Sequence, residues 1–156
     1  MRKFLPFILT IMFSAAVSAQ SADVVSEILD TKEATFGQIC YLSAVQQKLV
    51  DNDATYGQSI SALYENGQLP SMVYETTPMV MADLAFIYSR MWHIRGGVFY
   101  RLTGGSPRYA FKQMKADGIF PNRTDPADSV SGREALNILT SCMMTYGGMK
   151  LESIGE

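Results

Sequence analysis

A weak internal repeat constrains this chain more than any other feature. Gly67-Gln68-Leu69-Pro70 returns as Gly118-Ile119-Phe120-Pro121, and the same offset of 51 residues aligns Ile60 with Phe111, Leu63 with Met114, Asn66 with Asp117, Met79 with Val130, Asp83 with Glu134 and Ile87 with Ile138. The matched positions alternate between apolar sites and turn residues. A repeated supersecondary unit requires this, because each copy must bury the same face and stop at the same place. Apolar residues elsewhere recur at three- and four-residue spacing, and alternating β-branched runs are few. The fold class is therefore all-α.

Punctuation along the chain places the helices. Asp23 to Leu29 forms a short entry helix, and Thr35 with Gln38 has the spacing of a capping box that opens a helix through about Val50. The next helix runs from about Ala54 to Glu65 and ends at Asn66-Gly67, with Gly67 suited to the left-handed position after a helix. Thr77-Pro78 offers a cap followed by a first-turn proline, predicting a helix through about His93. Between Ile94 and Gly105, the pairs Gly96-Gly97 and Gly104-Gly105 bracket Val98 to Leu102, which reads either as a helical turn or as a short extended piece. Ser106-Pro107 restarts a helix that stops at Asp117-Gly118. A long connection then leads to Ser131 and Glu134, a second capping box opening a helix through about Tyr146. The expectation is a bundle of about six helices, built from two to three helix-loop-helix units at about 35–51, 54–93 and 107–146.

Residues 1–19 read as a cleaved export signal, with Arg2 and Lys3 before the apolar run Leu5 to Phe13 and small residues Val17-Ser18-Ala19 before the cut. The remainder, 20–156, is long enough for a single helical domain and short for two. The location expected is periplasmic or secreted, with no membrane span in the mature chain. Removing Arg2 and Lys3 from 13 basic residues leaves 11 against 15 acidic ones, a net charge of −4, which argues against a nucleic-acid surface. Cys40 and Cys142 would enter an oxidising compartment, where an even count makes a disulfide a possibility and buried free thiols the alternative.

The unit helix, Gly stop, Pro- and Asp-containing loop, capped helix resembles the S-layer homology (SLH) module, a bacterial envelope repeat. Arg108 to Gly118 with Ile119-Phe120 is similar to its first helix, Asp125 to Val130 to its loop, and Ser131-Gly132-Arg133-Glu134 to its Thr-Arg-Ala-Glu-type helix opening. Ala54 to Met91 is a more degraded copy, and Thr35 to Leu49 corresponds to the second helix of an incomplete first unit. The resemblance implies a pseudo-threefold bundle whose grooves hold anionic cell-wall polysaccharide near the motif arginine. This chain departs from the motif there: Gly132 stands in the arginine position, and Val80-Met81-Ala82-Asp83 carries no basic residue.

Candidate sites are few. Arg108, Arg123 and Arg133, with the helix start at Ser131, would suit a carboxylate or phosphate. Phe99, Tyr100 and Tyr109 form the best candidate for an aromatic partner contact. Glu134 reads as a cap, Asp125 and Asp128 as a turn, and Trp92-His93 as a packed helix end. The methionines read mostly as core filler. No spacing converges titratable groups, so no catalytic residue, metal or cofactor is expected. The reading is a non-enzymatic envelope module that binds cell-wall polysaccharide or peptidoglycan, or serves as a scaffold for an envelope protein. A protein-interaction subunit of a periplasmic assembly, and a small secreted enzyme or enzyme inhibitor, are the alternatives.

Overall fold

The computed structural model describes residues 22–147; the expected export signal at 1–19 lies outside the described residues. Helix α1 covers 22–30, followed by α2 (Phe36–Gln46), α3 (Tyr56–Glu65), α4 (Met81–Met91), α5 (Val98–Leu102), α6 (Pro107–Ala116) and α7 (Gly132–Tyr146). Among the described residues there is no strand beyond two isolated bridges, Thr35 with Pro78 and Val80 with Ser129. The chain is an all-α bundle.

Local hydrogen bonding explains where most helices begin. Thr35 with Gln38 and Ser131 with Glu134 form the expected capping boxes, in which each partner's side chain accepts from the other's backbone N–H. Thr55 with Gln58 forms a third, unexpected one at the start of α3. Pro107 occupies the first turn of α6, as its sequence predicts.

Helix α4 departs from expectation. Thr77-Pro78 does not open it; the helix starts at Met81, with Val80 as N-cap and no side-chain cap. The reason is that Thr77 to Val80 is extended, its backbone already engaged by two neighbouring segments. The Thr77 carbonyl accepts from Phe36 N–H at 2.9 Å, and Met79 N–H donates to the Ala34 carbonyl at 2.9 Å.

Helix ends follow one pattern. After α3 and α6, Gly67 (φ 67°) and Gly118 (φ 82°) take the left-handed position, while Gln68 and Ile119 N–H donate to the Leu63 and Met114 carbonyls at 2.8 and 2.9 Å. The same closure ends α2 and α4, but there the left-handed residues are Lys48 (φ 59°) and His93 (φ 49°). Helix α2 consequently stops at Gln46, short of the expected Val50.

The repeat is expressed at the centre as a closed cycle of three backbone hydrogen bonds. Ala34 N–H donates to Val130, Val130 N–H to Met79 and Met79 N–H to Ala34, at 2.6, 3.3 and 2.9 Å. All three residues are buried, and each directly precedes the N-cap of a second helix: Thr35, Val80 and Ser131. The cycle brings the three segments that lead into α2, α4 and α7 together at one point. Each second helix then rests on the next unit. Helix α2 packs on α3 and α4 on α6. Helix α7 starts against the end of α1, with Gly132 N–H donating to the Thr31 carbonyl at 3.0 Å. The first unit, expected as a lone second helix, thus has α1 as its partner.

The core follows from this plan. Nine of the eleven residues of α2 and eight of the eleven of α4 are buried. Fully enclosed Ile39, Leu63, Leu84, Ile87, Tyr88 and Met114 belong to the same core cluster as Met79 and Val130. Phe111 and Phe120 stack at 4.8 Å across the α6 turn. Met79, Met81, Met91 and Met114 are core filler as expected, whereas Met72, Met143 and Met144 are exposed.

Candidate functional site

The connection from α4 to α6 does not obey the repeat. Lys48, which ends α2, lies seven positions before the next cap, Thr55, while His93, which ends α4, lies thirteen before Ser106. The additional six residues are occupied by α5, a five-residue helix with no fully buried residue. It belongs to none of the three units.

Tyr100 anchors this insertion. A Cβ built on Gly96 would lie 2.4 Å from the Tyr100 ring, and one on Gly105 would lie 2.7 Å from it. The two glycine pairs flanking α5 therefore do more than end helices: they leave room for a half-buried ring between them. Gly104 and Gly105 are also consecutive left-handed residues, at φ 62° and 66°, a backbone that side chains rarely adopt. Gly105 N–H closes the turn on the Tyr100 carbonyl at 2.7 Å, and Gly97 N–H donates to Gln113 Oε1 of α6 at 2.9 Å.

Beside Tyr100 is an open cavity of about 730 Å³, bounded by Arg90, Ile94, Arg95, Arg101 and the backbone of Gly96, Gly104 and Gly105. Arg90 is fixed there. Its guanidinium donates to the Gly104 carbonyl and lies 5.0 Å from the Phe86 ring centroid, and its Nε is buried without an acceptor. Arg95 and Arg101 are exposed at the rim. Electrostatics reinforce the placement: between Asp83 and Asp117 there are six arginines and lysines and no acidic residue. From 22 to 83 the balance is opposite, nine acidic against two basic. A cavity lined by three arginines and by glycine backbone suits a carboxylate or phosphate.

The sequence-derived candidates divide. Phe99 stacks on Tyr109 at 6.3 Å and is largely exposed, whereas the Tyr100 ring lies between Gly96 and Gly105. Arg108, Arg123 and Arg133 are exposed, and none lines the cavity. At the start of α7, the amides of Ser131, Gly132 and Glu134 already have acceptors in Glu134, Thr31 and Ser131. Gly132, in the motif arginine's place, has a steric cause: a Cβ there would lie 1.7 Å from the Ile28 carbonyl oxygen. Asp125 and Asp128 accept the Ala127 and Asp125 backbone N–H groups at 2.9 and 2.7 Å, so they hold a turn. Arg90, Arg95 and Arg101 are the residues that sequence reading passed over, and the long acid-free run around them was the signal.

Cys40 and Cys142, considered as a disulfide pair, are both free and buried. Burial pushes each thiol up to about 12, so neither supplies a thiolate at neutral pH. Tyr88, whose hydroxyl donates to the Ala135 carbonyl at 3.2 Å, is raised by its own burial and by both thiols. No group of three or more His, Cys, Asp or Glu among the described residues is placed to hold a metal, and no described helix is long and apolar enough to cross a membrane. Neither the family models nor the curated proteins contain a match to this chain.

Proposed function

We propose that the chain is a non-enzymatic module of the cell envelope, an SLH-like threefold bundle that holds an acidic cell-wall polymer in the cavity between the end of α4 and the α5 insertion. The observation that supports it is the convergence of Arg90, Arg95 and Arg101 on one open cavity inside an acid-free stretch of an otherwise acidic chain. Arg90 supplies a fixed, partly desolvated guanidinium, where a charge-assisted hydrogen bond is stronger than in water. Arg95 and Arg101 at the rim draw in a polyanion and contact charges spaced along it. An opening of this shape admits a polymer lying across it, and the exposed Phe99 beside Tyr109 offers an apolar face for a sugar ring.

Co-sedimentation of the purified protein with isolated, lipid-free cell-wall sacculi over a salt series tests this reading. Binding should weaken steadily with salt. Arg95→Ala combined with Arg101→Ala should weaken it about tenfold or more at low salt, with the melting temperature unchanged, because both side chains are exposed. Wild-type protein that stays in the supernatant at low salt would end the proposal. So would binding that survives this double variant but is lost on Arg123→Ala with Arg133→Ala, which would move the site to the α7 end of the molecule.

A further inference from the structure

Three large apolar side chains on α5 turn away from the protein: Val98, Phe99 and Leu102 are 70%, 68% and 76% exposed. Leu102 lies four positions after Val98 and three after Phe99, so the three form one patch. The patch has no part in the repeat plan, since α5 is the inserted element, held by Tyr100 between the glycines, by Gly97 on Gln113 and by Phe99 on Tyr109. The fold gains nothing in stability by presenting this patch to water.

Charge identifies what covers it. Arg95 and Arg101 belong to the same insertion, Arg108 opens α6, and Lys112 follows one turn later with its ammonium 5.2 Å from the Tyr109 ring centroid. Phe99 stacks on that same ring, so Lys112 borders the apolar patch, and Arg101 is carried on α5 itself. An apolar tip a few side chains wide, within a stretch of sequence that carries six basic residues and no acidic one, matches the anionic boundary of a lipid bilayer. Headgroup phosphates would take the arginines and lysines, and the acyl boundary would take the three side chains. A folded protein partner would ordinarily demand a larger complementary face than one five-residue helix presents.

We propose that α5 docks the protein onto anionic phospholipid membranes, with Val98, Phe99 and Leu102 inserted at the headgroup boundary and Arg95, Arg101, Arg108 and Lys112 on the lipid charges. This docking does not rest on the wall-polymer reading: sacculi contain no lipid, so sacculus binding and vesicle binding succeed or fail separately.

The experiment is vesicle flotation with phosphatidylcholine alone and with phosphatidylcholine mixed with phosphatidylglycerol. The protein should float with the mixed vesicles, leave them as salt rises, and ignore phosphatidylcholine alone. Phe99→Ser combined with Leu102→Ser should lower partitioning about tenfold or more with an unchanged melting temperature, since both side chains are exposed. In a Phe99→Trp variant, emission should shift to the blue on the mixed vesicles. Absence of flotation at low salt overturns the proposal. Flotation indifferent to the double serine variant also overturns it, because that is adsorption by charge alone. A dimer in solution that the same variant dissolves would assign the patch to a second copy of the chain and likewise overturn it.

Discussion

The link from α2 to α3 and the link from α4 to α6 both leave their helix through a non-glycine residue in the left-handed region, Lys48 and His93. The first then reaches its cap in seven positions and the second in thirteen. Everything the fold asks of such a link is met by the shorter one: the chain turns and a first helix opens. The longer one adds α5, exposes Val98, Phe99 and Leu102, and brings Arg95 and Arg101 beside Arg90. Residues that the architecture does not need are where the chain has room for recognition. Stability should therefore be concentrated in the three units and their central hydrogen-bond cycle, and be nearly indifferent to the insertion.

The strongest challenge to that division compares two glycines. Gly132 starts α7 where a Cβ would lie 1.7 Å from the Ile28 carbonyl oxygen, and that oxygen belongs to backbone that cannot rotate away. Gly97 caps α5 at an ordinary φ of −65°, and its Cβ would meet only Gln113 Oε1 at 3.8 Å. Gly132→Ala should cost about 3 kcal/mol in urea unfolding, the forced separation of α1 and α7 outweighing any gain in helix propensity. Gly97→Ala should fall within about 0.5 kcal/mol of the parent. Equal losses would mean that the insertion carries as much of the fold as the frame does.

The contrast also accounts for what the sequence could reveal. The 51-residue offset is visible because the second and third units keep their Gly stops, loop lengths and core positions. The first unit hides because it is connected differently: Thr31 to Ala34 replace the long loops, so no Gly-x-x-Pro marks the end of α1. Pro78 misleads for a related reason. Its residue type suits a first helical turn, and only the pairing of Thr35 with Pro78, made across units, keeps the segment extended. The cavity was less legible still. Arg90, Arg95 and Arg101 have no motif spacing; a short helix pinned by Tyr100 between two glycines brings them together, and such packing leaves no periodic trace. Composition over a window held the better clue, since the acid-free run from 84 to 116 is plain in the sequence.

Within the frame, a second tie can be cut without changing packing volume. Tyr146, at the end of α7, donates its hydroxyl hydrogen to Asp117 Oδ2 at 2.7 Å, joining that helix to the C-cap of α6. Tyr146→Phe should lose about 1.5 kcal/mol in urea unfolding, as expected for a hydrogen bond to a charged acceptor. A loss below about 0.3 kcal/mol would show that unit three is held by apolar contact alone.

Smaller effects test the far ends of the two links. The short link ends on Thr55, whose side chain accepts the Gln58 amide at 3.2 Å; the long link ends on Ser106, which makes no side-chain cap. Thr55→Ala should cost about 1 kcal/mol and Ser106→Ala no more than about 0.3 kcal/mol, both measured as shifts in the urea midpoint at constant slope. The reverse order would place the stronger stop on the insertion's side.

The smallest effect has a sign that changes with pH. Asp83 holds the N3 place that Gln38 and Glu134 fill in the other units, but its N-cap is Val80, which gives it no side-chain partner. Burial raises its carboxyl above the ordinary 3.8, and this outweighs the favourable position of a negative charge in the first turn of α4. The folded state therefore holds this proton more tightly than the unfolded chain does. The resulting stability is fully present below the unfolded value and is lost as pH rises through the folded one. Asp83→Asn removes a charge that is disfavoured at neutral pH, so its melting temperature should slightly exceed the parent's at pH ~7 and meet it below pH ~4. A variant less stable than the parent at neutral pH would show that the α4 start uses this carboxylate as the other two units use their capping boxes, and would bring the second unit closer to its neighbours than the sequence implies.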